Sequence, residues 1–197
     1  MYVQIIQGKV RDADLLARQV DRWVAEIKPG VEGYLGLTTG VTPEGHAITL
    51  VRFESEEKAR ANSASEQQSA WWNETAKAYD GEPTFRDCTE IDTMFGGGSN
   101  DAGFVQVIQG RAKDEAGMRR EIAAMESGLR TARPDILGMT FAWHGDGGGF
   151  TQAVYFRSER ETREMEKATE NEDMRKRYTE MFAEPPTFYD LRSPLLA

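Results

Sequence analysis

The chain is predicted to be an α+β protein made of two copies of one βαββαβ unit. Three observations carry that prediction. Val3 to Gly8 reads VQIIQG and Val105 to Gly110 reads VQVIQG, the same word 102 residues later. Each word is followed by an Asp-led stretch with apolar residues at steps of three and four. Each copy then passes through a hairpin into a strand that ends in Phe, and Ser-Glu opens a second helical stretch.

Taken in order, the first strand, Tyr2 to Gln7, is a short apolar run rich in β-branched residues and closed by Gly8, the composition of a buried strand. A helix is expected from about Asp12 to Lys28. Leu16, Val20, Trp23, Val24 and Ile27 give it one apolar face, Asp12 suits the N-cap, and Pro29-Gly30 ends it. The second copy runs from Asp114 to Arg130, with Met118, Ile122, Met125 and Leu129 at those positions plus 102. Apolar character is kept and identity is not, as expected of two packed helices.

The second strands are Tyr34 to Thr39 and Ile136 to Phe141, at the same offset. Residues 40–45 and 144–149 are hairpin turns by composition. The triple glycine 147–149 leads into a strand and no Lys-Ser/Thr follows it, which argues against a phosphate loop. The third strands, Ala47 to Phe53 and Phe150 to Phe156, stand at an offset of 103, so the second hairpin is one residue longer. Ser55-Glu56 and Ser158-Glu159 mark the next helix starts. Those helical regions reach about Tyr79 and Phe182, in pieces, and the last strands begin at Pro83 and Pro186.

Each half is therefore ferredoxin-like, a four-stranded antiparallel sheet with helices on one face. The first strand is apolar on both parities (Val3 and Ile5; Tyr2 and Ile6), so the helix-free face also needs cover. The expectation is a first repeat over residues 1–94, a Gly-rich linker over 95–102 and a second repeat over 103–197. Their antiparallel sheets are expected to close into one pseudo-twofold α+β barrel, a monomeric pseudo-dimer open to further self-association.

Charge narrows the partners. The net charge is −9, spread as −6 over residues 1–98 and −3 over the rest, with no basic face in either half. Nucleic acid and an anionic membrane surface are not expected. The lone Cys88 rules out an internal disulfide and fits a small buried hydrophobe. The opening MYVQIIQG lacks the regions of a signal peptide, and no run approaches the ~18 apolar residues of a membrane span. A cytoplasmic protein is expected.

The duplication separates packing from chemistry. Trp71, Thr75, Ala78 and Tyr79 pair with Met174, Tyr178, Met181 and Phe182 as the buried stripe of the second helix, so Trp71 reads as core before catalyst. Trp72 pairs with Arg175 beside that stripe and either stacks on a flat ligand or lies half-exposed. Asn62 stands in the stripe where the second half has Met165; a buried amide needs partners, from a ligand or from the backbone. Gln4 and Gln106 lie mid-strand and are expected to point into the barrel, toward a ligand or toward each other. Arg52 could hold an acidic group of a substrate or pair with a carboxylate. His46 and His144 fall in or beside the hairpins, and with Cys88 they make no metal constellation. No nucleophile–base pair is legible.

VQIIQG, LVRFESEEKARAN (Leu50 to Asn62) and AVYFRSERETREM (Ala153 to Met165) together resemble the dimeric α+β barrel superfamily, and within it the antibiotic biosynthesis monooxygenase-like proteins. Members of that family usually build the barrel from two chains. They include cofactor-independent oxygenases of polycyclic aromatics, which use Asn, Trp and Tyr side chains, as well as haem-degrading enzymes. The resemblance offers Asn62 and Trp72 as catalytic residues, with Gln4, Gln106, Arg52, Trp71 and Tyr79 around a ligand. It also implies no metal and no cofactor, since neither histidine lies on the second helix as a haem ligand would. The expected function is binding of a small apolar or aromatic molecule between the sheets, with cofactor-independent monooxygenation as its catalytic form. A non-enzymatic structural or interaction protein with a filled barrel is the alternative.

Overall fold

VQIIQG lies inside strand β1 (Tyr2–Lys9). A computed structural model describes residues 1–168, 176 and 179–197. They divide into two units, Met1–Thr89 with Pro194–Ala197, and Glu90–Ser193.

In the first unit β1 is followed by α1 (Ala13–Arg22), which Asp12 caps by accepting from the Leu15 N–H at 2.8 Å. Such a cap is worth about 1 kcal/mol. Leu16 and Val20 form the buried face of α1, and a π-helical turn, Trp23–Ile27, continues it with Trp23 and Ile27. Pro29 then sits in a 3-10 turn, Lys28–Gly30. Next come β2 (Tyr34–Val41), β3 (His46–Phe53), α2 (Glu56–Ser63), α3 (Glu66–Thr75) and β4 (Thr84–Cys88). The expected second helix is in two pieces because Ser65 opens a new N-terminus, its hydroxyl accepting from the Gln68 N–H. Gly36 sits at a β-bulge with φ +152, and a side chain there would overlap the Arg52 guanidinium.

The second unit repeats this order: β5 (Glu90–Met94), β6 (Phe104–Arg111), α4 (Glu115–Ala132), β7 (Ile136–Trp143), β8 (Gly149–Phe156), α5 (Glu159–Ala168) and β9 (Thr187–Leu191). The register repeats as well. Gln4 faces Val51 and Asp87 across its two neighbours; Gln106 faces Val154 and Asp190. The bulge at Tyr34/Gly36 recurs at Ile136/Gly138.

Each sheet has a fifth strand that the repeat pattern does not announce. β5 pairs with β7, so residues 90–94, expected in the first repeat, belong to the second unit. At the other end β10 (Leu195–Leu196) pairs with β2, and the Ala197 carbonyl accepts from the Leu37 N–H at 2.7 Å. The sheet orders are β10-β2-β3-β1-β4 and β5-β7-β8-β6-β9. Both sheets are open, and no closed barrel is found among the described residues. The linker is anchored at its start: the Phe95 N–H donates to Glu126 Oε1, and Arg130 lies over the Phe95 ring. No helix among the described residues is long and apolar enough to cross a membrane.

Candidate functional site

Alternation along β1 puts Tyr2, Gln4 and Ile6 on the helix-facing side, in register with Phe53, Val51 and Thr49 of β3. The first cleft lies between that row and the helices. Its lining includes Gln4, Ile6, Leu37, Thr49, Val51 and Phe53 from the sheet, and Leu16, Val20, Trp23, Asn62, Trp71, Trp72 and Tyr79 from the helical side. It encloses about 60 Å³, room for a few waters and not for a drug-sized ligand.

Aromatic rings fill the rest. Trp23 packs on Tyr34 at 5.1 Å and on Trp71 at 6.4 Å between centroids, and its Nε1 donates to Gln68 Oε1 at 2.8 Å. Trp71 is buried, its Nε1 donating to the Gln19 carbonyl at 2.7 Å. Tyr79 is buried too, and its hydroxyl is hydrogen-bonded to Thr49; burial raises that phenol to about 12 despite the bond. Thr49 also lies 2.6 Å from the Thr39 hydroxyl, so this polar group is internally satisfied.

The other candidates of this half separate. Gln4 and Gln106 do not point away from the helices, as expected, but toward them. Asp87 and Asp190 stand opposite them on the adjoining strands and accept from their Nε2 atoms at 3.0 and 2.9 Å. Arg52 is on the other face of the sheet, buried, with Nη1 donating to Thr38 Oγ1 at 3.0 Å, and it lines neither the first cleft nor its outer recess. Asn62 is half-buried at the end of α2, with no hydrogen-bond partner for its amide among the described residues. Trp72, also half-buried, forms the wall between the cleft and an outer recess of about 390 Å³ closed by Phe85. Met174, Arg175 and Tyr178, the second-half counterparts of Trp71, Trp72 and Thr75, lie outside the described residues. Trp143 is core, its Nε1 donating to Asp92, and His144 bonds Thr151 in the hairpin at 2.9 Å.

In the second unit the equivalent space is open. A cavity of about 580 Å³ lies between the helix-facing row of the sheet and α4. Gln106, Ile108, Met139, Phe141, Gln152, Val154 and Phe156 form its floor, and Met118, Ile122, Met125 and Leu129 its wall. Arg133, Glu121 and Glu166 bring charge to it, and Phe188 and Met181 complete the described lining. The larger space therefore lies in the half that does not carry Asn62 and Trp72, the catalytic candidates the resemblance offers. One pair contributes: Trp23, buried in the first unit, corresponds to Met125, which is 41% exposed, and the slimmer side chain fills less of the space beside the sheet. The signal in the sequence is in the methionines: Met118, Met125 and Met139 stand where the first half has Leu16, Trp23 and Leu37, and Met94 and Met181 add to the same lining.

Around the floor, Gln106 is held by Asp190, which also accepts from Arg163 Nη2 at 2.5 Å. Arg133 grips the fully buried Asp135 through Nε and Nη2 at 2.9 and 2.7 Å and stands over Phe156. No group of three His, Cys, Asp or Glu side chains gathers as a metal site among the described residues.

No protein-family model matches the chain, and no curated protein matches it. Solved structures do match. One, named as a candidate monooxygenase from Lactobacillus acidophilus NCFM, is 12% identical with a TM-score of 0.75, over 100% of this chain and 98% of its own. An anthrone oxidase-like protein is 8% identical with a TM-score of 0.67, over 100% and 92%. An uncharacterized ferredoxin-fold protein related to antibiotic biosynthesis monooxygenases, from Listeria monocytogenes 4b F2365, is 10% identical with a TM-score of 0.55, over 99% and 95%. At these identities the likeness is one of fold. The chain has the fold of the antibiotic biosynthesis monooxygenase-like, ferredoxin-fold proteins, with two such units in one chain.

Proposed function

We propose that this protein binds a small, largely apolar aromatic molecule in the cavity of its second unit. The observation that carries the reading is the cavity itself. At about 580 Å³ it falls in the range of small-molecule sites, and a lining of Met, Leu, Ile and Phe with a few amides is the usual composition of such sites. A protein whose interior is filled by its own side chains would not leave that volume, which weighs against the structural alternative. The test is calorimetric titration of the full chain with 2-naphthol and with anthrone. Saturable binding at one site per chain is the expected result, and no heat with either would sink the reading.

Cofactor-independent monooxygenation is the catalytic form of the same proposal. What favours it is the likeness to structures named as a candidate monooxygenase and an anthrone oxidase-like protein. Asn62 and Trp72, the residues the resemblance offers for it, line the first unit's cleft of about 60 Å³, which has no room for an anthrone, so the catalytic form of the proposal belongs to the cavity of the second unit and not to those two residues. An anthrone methylene would become a carbonyl, one atom of O₂ entering the product and the other leaving as water, the substrate itself supplying the electrons. Oxygen uptake with anthrone by the purified protein, free of added metal or flavin, is the measurement; binding without uptake would leave a carrier or sensor. The proposal also has the two sheets close into one barrel. Apolar rows at Val3, Ile5 and Leu50 in one helix-free face, and at Val105, Val107 and Ala153 in the other, support that closure. Small-angle scattering of the monomer tests it.

A further inference from the structure

We propose that Gln152 orients the ligand in the second unit's cavity by accepting a hydrogen bond from a ligand hydroxyl, so that the site selects a phenolic aromatic over the same ring system without the hydroxyl. The inference rests on the reading of that cavity as a binding site.

Gln152 lies on β8 directly opposite Ile108 of β6, on the helix-facing side, and is 6% exposed. It is a cross-strand diagonal neighbour of Gln106, so two amides stand side by side in an otherwise apolar floor. They are not equivalent. Gln106 is committed to Asp190. Gln152 Nε2 points at Met139 Sδ, 3.7 Å away, a weak acceptor, and its Oε1 accepts no hydrogen bond among the described residues. An amide left in that state in an apolar floor is destabilising. A core under selection for packing alone would carry Leu or Met there.

The first unit shows what an internally satisfied version looks like. Thr49 occupies the equivalent place, bonded to Thr39 and Tyr79. In the second unit those two partners are replaced by Phe141 and Phe182, while the acceptor is kept and lengthened to a glutamine. The polar group has lost its protein partners and gained reach into a cavity of about 580 Å³. Phe141, Phe156 and Phe188 supply ring faces and edges for a flat molecule. Because Nε2 is turned to sulfur and Oε1 is free, the missing partner is a donor, and a hydroxyl on an aromatic ring provides it. A site built to hydrogen-bond a hydroxyl rejects the analogue lacking it far more strongly than an apolar pocket does.

The experiment is calorimetric titration of the full chain with 2-naphthol and with its O-methyl ether, for the native protein and for Gln152→Met and Gln152→Leu, each checked for native circular dichroism. The native protein is expected to prefer the naphthol by at least tenfold. Both variants are expected to hold the two ligands equally, the tenfold preference being lost. If a folded variant keeps the tenfold preference, Gln152 is not the selecting residue although the cavity still binds. If the native protein binds both ligands equally, the selection itself is absent. If it binds neither, the inference falls together with the reading of the cavity. Should one variant fail to fold, the other decides.

Discussion

Trp72 stands edge-on to Phe85, ring centroids 5.0 Å apart and planes at 70°. Gln4, Ile6, Ser63, Gln68 and Trp72 line both the inner cleft and the outer recess of the first unit, so the indole is part of the partition between them. Trp72→Ala should join about 60 Å³ to about 390 Å³ and open the outer recess into the aromatic interior of the first unit. A fully buried Trp→Ala change is destabilising by about 3–5 kcal/mol; for this half-buried ring about 2 kcal/mol is expected. Urea unfolding gives the stability change, and titration with 2-naphthol should show the stoichiometry rising from one site toward two. Unchanged stoichiometry would mean that Trp72 does not close the first cleft.

Arg133 and Asp135 make a second, sharper case. Asp135 is fully buried, and Arg133 is its bidentate partner. Removing the cation strands a carboxylate away from water, which typically destabilises by about 3–5 kcal/mol, whereas replacing both partners by uncharged groups is far milder. Arg133→Met should therefore lower the urea midpoint strongly, and Arg133→Met with Asp135→Asn should recover much of the loss. Because Arg133 also lines the large cavity, its loss should weaken ligand binding as well. Additive effects in the double variant would contradict the pairing.

Tyr79 sets an alkaline limit. Burial raises its phenol from 10.0 to about 12, against the lowering effect of its bond to Thr49. The folded state therefore keeps its proton in a range where the unfolded chain loses it. The contribution is whole below pH 10 and is lost as pH rises from 10 through about 12, a span of two units or roughly 3 kcal/mol. Burial also raises Tyr34, and Tyr2 is raised by burial first and by Asp87 second, so the same drift is shared. Chemical denaturation at pH 9, 10, 11 and 12 should show stability falling only beyond pH 10. Tyr79→Phe should flatten that fall while losing about 1 kcal/mol at neutral pH with the Thr49 bond. A fall already complete below pH 10 would be inconsistent with a raised phenol.

These residues also show how far the sequence could be read. The offsets of 102 and 103 place Gln4 with Gln106 and Asp87 with Asp190, and both pairs recur in space as amide–carboxylate bonds. Alternation assigns Gln4 and Gln7 to opposite faces, but which face meets the helices depends on whole rows across β1 and β3, and a mid-strand position does not decide it. The fifth strands escape because β5 and β10 are short and take their partners from distant parts of the chain, β7 and β2. The Trp23-to-Met125 exchange stands in plain view in the alignment of halves, yet apolarity is conserved there and only volume changes. Pattern reading is blind to volume.

The cavity can be refilled from its floor. Ile108 lies opposite Gln152 and Phe188 on the two neighbouring strands and contributes to the lining of the large cavity. Ile108→Trp would push an indole into that space, restoring to the second unit the kind of bulk that Trp23 gives the first. Inserting atoms into a close-packed core is destabilising by about 1–3 kcal/mol, but here the volume is already free, so the stability read from urea unfolding should fall by less than about 1 kcal/mol or rise. Affinity for 2-naphthol should fall at least tenfold in the same variant. Ile108→Ala is the counterpart, enlarging the cavity, retaining binding and destabilising by about 2–5 kcal/mol. If Ile108→Trp instead unfolds the protein as an overpacked core would, the space is not empty in solution. If it folds and still binds 2-naphthol at native affinity, the ligand is held elsewhere.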